Sequence, residues 1–209
     1  MSRAKAIASA ALGYALGSLA SADIVAKRAA KGKPSAEQID PNRHGSSNPG
    51  AANVRNLLGN RAGAAVFGLD MGKALVAGQI GRVLAGATGA NAAAAAAVLG
   101  HCYPVQRGFA GGKGVAASFG QMLATFPAYL PVDIVLGAAA AKSDYWKQRP
   151  VANIAAICGL WIGLAGLWAQ RGLPNGWGPQ PSAAMPMAAA VSSVAIIQRF
   201  AVENRDAAE

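Results

Sequence analysis

Residues 151–170 read VANIAAICGLWIGLAGLWAQ, an unbroken run without Lys, Arg, Asp or Glu. About 20 such residues form a helix long enough to cross the hydrocarbon of a bilayer, so this stretch predicts a transmembrane span. Further apolar runs, separated by Gly, Pro and charge, lie near 6–26, 61–81, 84–103, 112–127, 129–142 and 182–199. Together they predict an all-α, polytopic membrane helix bundle, one domain over 1–209 with about seven transmembrane helices. The pair 112–127 and 129–142 is short and interrupted by Pro127 and Pro131. It reads either as two tilted spans or as one long kinked one.

The composition agrees with lipid as the solvent. Of 209 residues 53% are hydrophobic, yet only 6% are aromatic and 13% charged, about half the charge of a soluble domain. The abundant Ala and Gly are the residues that let membrane helices approach closely, and Gly13 and Gly17 form a GxxxG spacing suited to packing within or between chains. The start, MSRAKAIASAALGYALGSLASA, shares its basic head and apolar middle with signal peptides, but is expected to stay as the first span. Cys102 and Cys158 lie at or within apolar runs. They are not expected to pair, and with two His they give no metal-ligand spacing.

The formal charge of +10 resides mainly in the connections. That placement favours topology and phosphate binding over nucleic acid. One set of connections carries Lys27, Arg28, Lys31, Lys33, Arg43, Arg55 and Arg61, then Arg107 and Lys113, then Lys142, Lys147 and Arg149, then Arg199 and Arg205. The other carries Arg3, Lys5, Arg82 and Arg171. The excess predicts an outside N-terminus and a cytoplasmic C-terminus. Asp23, Asp70, Lys73 and Asp133 fall inside expected spans, where ionisable groups are costly and either paired or functional. Asp70 and Lys73, three apart on one helical face, predict a local ion pair.

Two connections on the cytoplasmic side carry chemistry. In DPNRHGSSNPGAANVRNLLGN (40–60), Gly45, Ser46, Ser47, Asn48, Gly50 and Asn53 lie between Arg43 and Arg55. Hydroxyls, amides and open backbone N–H groups donate to phosphoryl oxygens, and guanidiniums add charge; a solvated turn uses the same residue types. In GHCYPVQRGFAGGKGVAA (100–117), Gly111, Gly112 and Gly114 surround Lys113 just before an expected helix. A glycine-rich turn feeding a helix N-terminus is an anion site, though Gly114 after Lys113 excludes a Walker A loop. His101 reads either as a general base or as a structural hydrogen bonder.

GSSNPGAANV, LDMGKA and GHCYPVQRGFAGGKGVA together resemble the bacterial glycerol-3-phosphate acyltransferases of the PlsY type, over about residues 8–120. The resemblance implies acyl transfer from acyl phosphate to the 1-hydroxyl of sn-glycerol 3-phosphate at the cytoplasmic face of the bacterial plasma membrane. The products are lysophosphatidic acid and phosphate, the first step of phospholipid synthesis, with membrane lipid as surroundings and no cofactor. It implies Ser46, Arg55, Lys113 and His101 as catalytic residues. Arg43, Gly45, Ser47, Asn48, Gly50, Asn53, Gly111, Gly112, Gly114, Arg199 and Asn204 are implied as substrate-binding.

Some positions depart from the family pattern. Ser47 replaces a Gly, Ala52 a Thr, and Arg55 comes one residue before the usual Arg position, here Asn56. In the C-terminal motif, QRFAVENRDAAE, Phe200 stands where the family has His, and Asn204 is displaced by one. A second reading therefore stays open: an impaired family member acting as a phosphate- or lipid-binding scaffold subunit with unknown protein partners. The acyltransferases that use His, four residues, then Asp are excluded, since Pro49 follows His44 and Gln106 follows His101 at that spacing. A small transporter or phosphate sensor would be favoured by inverted internal repeats, and none is visible.

Overall fold

A computed structural model describes residues 3–31 and 39–206; Lys33 lies outside them. The described residues form α1 (Arg3–Gly17), α2 (Ser21–Ala30), α3 (Ala51–Leu58), α4 (Asn60–Cys102), α5 (Val115–Thr125), α6 (Leu130–Lys142), α7 (Asp144–Lys147), α8 (Pro150–Arg171) and α9 (Ala184–Asp206). A 3₁₀ turn, Val105–Arg107, precedes α5. The architecture is all-helical among these residues, as expected. Four stretches are long and apolar enough to cross a bilayer: Arg3–Ala30, Asn60–Arg107, Pro150–Arg171 and Ala184–Arg205.

α4 is a hairpin of two limbs. Its backbone leaves helical geometry at Ala85 (φ −147°) and Gly86 (φ 58°), a positive φ that glycine adopts without Cβ strain. On either side of this corner Gly81 and Gly89 face each other so closely that a Cβ on either would strike the other's carbonyl oxygen. α1 lies along the second limb by the same device: Gly13 meets the Ala93 carbonyl, Gly17 the Ala97 carbonyl, and Gly100 the Tyr14 carbonyl. The GxxxG pattern thus packs within the chain. Lipid gives little hydrophobic drive for helices to associate, so backbone proximity and dispersion hold them.

The expected span 6–26 lies within Arg3–Ala30, and it is broken in two. α1 stops at Gly17 and α2 starts at Ser21, with the Ser18 hydroxyl donating back to the Tyr14 carbonyl at 2.8 Å. The break frees the Leu19 carbonyl, which accepts from Lys73 Nζ at 3.0 Å. Asp23, in the first turn of α2, reaches the second loop, where Arg107 Nη2 meets its carboxylate at 2.5 Å.

Pro127 and Pro131 separate α5 and α6 into two helices of 11 and 13 residues, each shorter than the roughly 20 residues of a straight crossing. An aromatic stack fills the corner between them: Phe126 and Tyr129 at 5.5 Å, Tyr129 and Trp161 at 6.5 Å between centroids. At the same end of the bundle Arg82 donates to the Trp177 carbonyl at 2.8 Å. The two polar loops and the last turns of α9 gather at the opposite end. Gly17→Leu is expected to force α1 off α4 and lower stability by about 1–3 kcal/mol, read as an earlier thermal unfolding transition in detergent.

Candidate functional site

The floor of the site is a buried charge cluster on the two limbs of α4. Asp70 Oδ1 lies 2.9 Å from Lys73 Nζ and 3.3 Å from His101 Nδ1, all three side chains less than a tenth exposed. The expected i, i+3 ion pair is therefore present, and His101 joins it from the other limb. With Nδ1 directed at Asp70, the ring's Nε2 lies beneath Gly112, where a Cβ would collide with it. A carboxylate that holds one ring nitrogen decides which nitrogen carries the proton, so Asp70 positions His101 as well as pairing Lys73.

The second loop is laid onto this floor. Gly112 N–H donates to the His101 carbonyl at 3.1 Å, and a Cβ on Gly111 would strike that same oxygen. Gly114 takes φ 87° at the start of α5, packed against Cys102 and Ile196. Arg199 from α9 donates from Nη2 to the Gly111 carbonyl at 2.5 Å. The glycines expected to let phosphate approach are thus also required by the loop's own seat.

The first loop is held by Asn53. Its Oδ1 accepts from Ser46 N–H at 3.0 Å, and its Nδ2 donates to the Pro41 and His44 carbonyls at 2.9 Å each. Gly45 has φ 66° and Ser47 φ 56°; the latter is the position at which the PlsY-type pattern has Gly. The Asp40 carboxyl is held below the usual carboxylate range, chiefly because the Asn42 backbone N–H donates to it, assisted by the Asn42 side chain. Arg107 ties the two loops at their edge, donating to Asn42 Oδ1 at 2.6 Å.

Between the loops lies a cavity of about 320 Å³ lined by Ser46, Asn48, Gly50, Asn53, Asp70, His101, Lys113, Gly114 and Phe200, among others. Lys113 Nζ stands 4.8 Å from the centre of the Phe200 ring and 2.7 Å from Glu203 Oε1. Asn48 Nδ2 donates to Glu203 Oε2 at 2.9 Å. A second, mostly apolar cavity of about 360 Å³ runs between α5, α6, α8 and α9, and shares Val115 and Phe200 with the first. Its other walls include Met122, Gly137, Ile154 and Trp161.

The structure brings together Ser46, Asn48, Gly50, Asn53, His101, Lys113 and Gly114 at this cavity. Gly45, Gly111, Gly112 and Arg199 shape the loops around it. Arg43 does not line it; its exposed guanidinium faces Asp40 at 3.7 Å. Arg55 projects from the outer face of α3, and Asn204 from the exposed side of α9. Sequence reasoning missed Glu203 and gave Asp70 and Lys73 no place in the site. The signal for the latter pair was present, since buried charge at membrane depth needs a purpose.

A family model described as glycerol-3-phosphate acyltransferase matches residues 7–204. Curated proteins named glycerol-3-phosphate acyltransferase are similar: from Thermoanaerobacter pseudethanolicus, 39% identical over 63% of this chain and 63% of that protein. One from Symbiobacterium thermophilum is 39% identical over 68% of each. The aligned part thus spans about two thirds of these relatives' length. A crystal structure of PlsY, an integral membrane glycerol 3-phosphate acyltransferase in its glycerol 3-phosphate form, superposes with TM-score 0.73 at 26% identity, covering 96% of this chain and 90% of that one. Its lysophosphatidic acid form gives TM-score 0.69 at 27% identity.

Ser47 carries a Cβ in left-handed backbone, a strain of about 1 kcal/mol. Ser47→Gly is expected to raise stability by up to that amount, measured as a higher thermal midpoint in the same detergent.

Proposed function

Since the chain belongs to the glycerol-3-phosphate acyltransferase family, we propose that it transfers an acyl group from acyl phosphate to the 1-hydroxyl of sn-glycerol 3-phosphate. The products are lysophosphatidic acid and inorganic phosphate. The observation that carries this reading is that two cavities share Val115 and Phe200, one carrying Ser46, Asn48 and Lys113 and the other mostly apolar. A substrate with a phosphate head and an acyl tail fits such a pair.

The phosphoryl oxygens take hydrogen bonds and charge from Ser46, Asn48 and Lys113, while the tail lies between α5, α6, α8 and α9. The hydroxyl oxygen of glycerol 3-phosphate attacks the acyl carbon, the bond from that carbon to the phosphate oxygen breaks, and the departing phosphate takes the hydroxyl proton. Phosphate is a good leaving group, so alignment and charge stabilisation suffice. His101, engaged with Asp70 through Nδ1, supports the seat of Gly112 in this scheme.

Counting the short, Pro-separated α5 and α6 as two crossings beside α1, both limbs of α4, α8 and α9 gives the expected seven, with the N-terminus outside and the site facing the cytoplasm of a bacterial plasma membrane. Phe200 favours the second reading, a scaffold subunit without turnover, because a phenyl ring neither donates nor accepts a hydrogen bond as the family's His does.

Purified protein supplied with acyl phosphate and labelled glycerol 3-phosphate is expected to form lysophosphatidic acid, with kcat/KM reduced about 100-fold or more in Lys113→Ala. Full turnover in that variant overturns the role of Lys113. Absence of turnover in intact protein selects the scaffold reading. Gly137 lines the apolar cavity and has open space at its Cβ. Gly137→Phe is therefore expected to fold normally and to depress turnover of long-chain acyl phosphates about tenfold more than that of short ones, as roughly 0.8 kcal/mol is lost for each CH₂ displaced from the groove.

A further inference from the structure

The turn of α9 that carries Phe200 ends on a carboxylate that contacts two side chains lining the candidate phosphate cavity. Glu203 follows Phe200 by three residues and so shares its face of the helix. Its two oxygens engage one donor from each loop: Oε1 with Lys113 Nζ at 2.7 Å and Oε2 with Asn48 Nδ2 at 2.9 Å. Its neighbour Asn204, displaced by one from the PlsY-type pattern, is exposed. A carboxylate at this place therefore holds both donors before any substrate arrives.

A carboxylate and a phosphoryl group accept from the same ammonium and amide donors. Lys113 and Glu203 side chains are each 30% exposed, so the pair is open to solvent and its strength modest. We infer that Glu203 is an internal competitor for anionic substrate, occupying Lys113 and Asn48 until phosphate displaces it. This rests on reading the cavity as a phosphate site. Glu203 then acts through the two donors as a positioning residue: it pre-orients the loops across the cavity and sets how tightly a phosphate is held. When phosphate binds, Glu203 swings to solvent from the last turns of α9.

The test separates competition from simple structural support. Wild type, Glu203→Gln and Glu203→Ala are titrated with inorganic phosphate by calorimetry in detergent, and the KM for glycerol 3-phosphate is measured at fixed acyl phosphate. Both variants are expected to bind phosphate about threefold to tenfold more tightly, with a matching fall in KM. Phosphate affinity equal to or weaker than wild type in whichever variants retain a cooperative unfolding transition overturns the inference and leaves Glu203 a structural tie. Tighter phosphate binding by the variants in a protein that shows no acyl transfer upholds the inference while the acyltransferase reading fails.

Discussion

A carboxylate buried at membrane depth must be compensated where it stands, and Asp70 is the group on which this structure depends. Its partners come from both limbs of α4, Lys73 one turn along and His101 from the other limb. Lys73 in turn takes the Leu19 carbonyl at the break between α1 and α2. Four chain segments are thereby fixed to one point, because removing any partner would leave charge or a polar group unpaired at several kcal/mol. The second loop rests on the His101 ring and carbonyl, so the geometry of the candidate phosphate donor Lys113 derives from this cluster.

The two loops achieve order by opposite means. In the first, one side chain does the holding: Asn53 engages the backbone of Pro41, His44 and Ser46. In the second, the absence of side chains does it, since Gly111 and Gly112 press directly against His101. This explains why a single substitution such as Ser47 is accommodated in one loop. The second keeps its glycines through Gly114, where any Cβ meets Cys102 or Ile196.

Most of the helical architecture was legible, because apolar length and Pro or Gly punctuation act locally. The break after Gly17 was not, since the Leu19 carbonyl at the break is taken by Lys73, which lies far away in sequence. The composition of the loops announced an anion site, and Lys113, Ser46 and Asn48 do meet at one cavity. Arg43 and Arg55 were read into it by charge, but the register of α3 and the pairing with Asp40 turn them outward. Glu203 was invisible because an acid near a C-terminus carries no pattern of its own; only the fold brings it to Lys113.

The contact of α1 with the second limb of α4, made by Gly13 and Gly17 against Ala93 and Ala97, has a thermal consequence. Gly and Ala have no side-chain rotamers to lose on folding, and equally none to recover on warming. The four Gly and Ala residues of this seam therefore have no side-chain torsions to loosen. At these contacts the helices separate as bodies or not at all, since no rotamer change can open a gap between backbones.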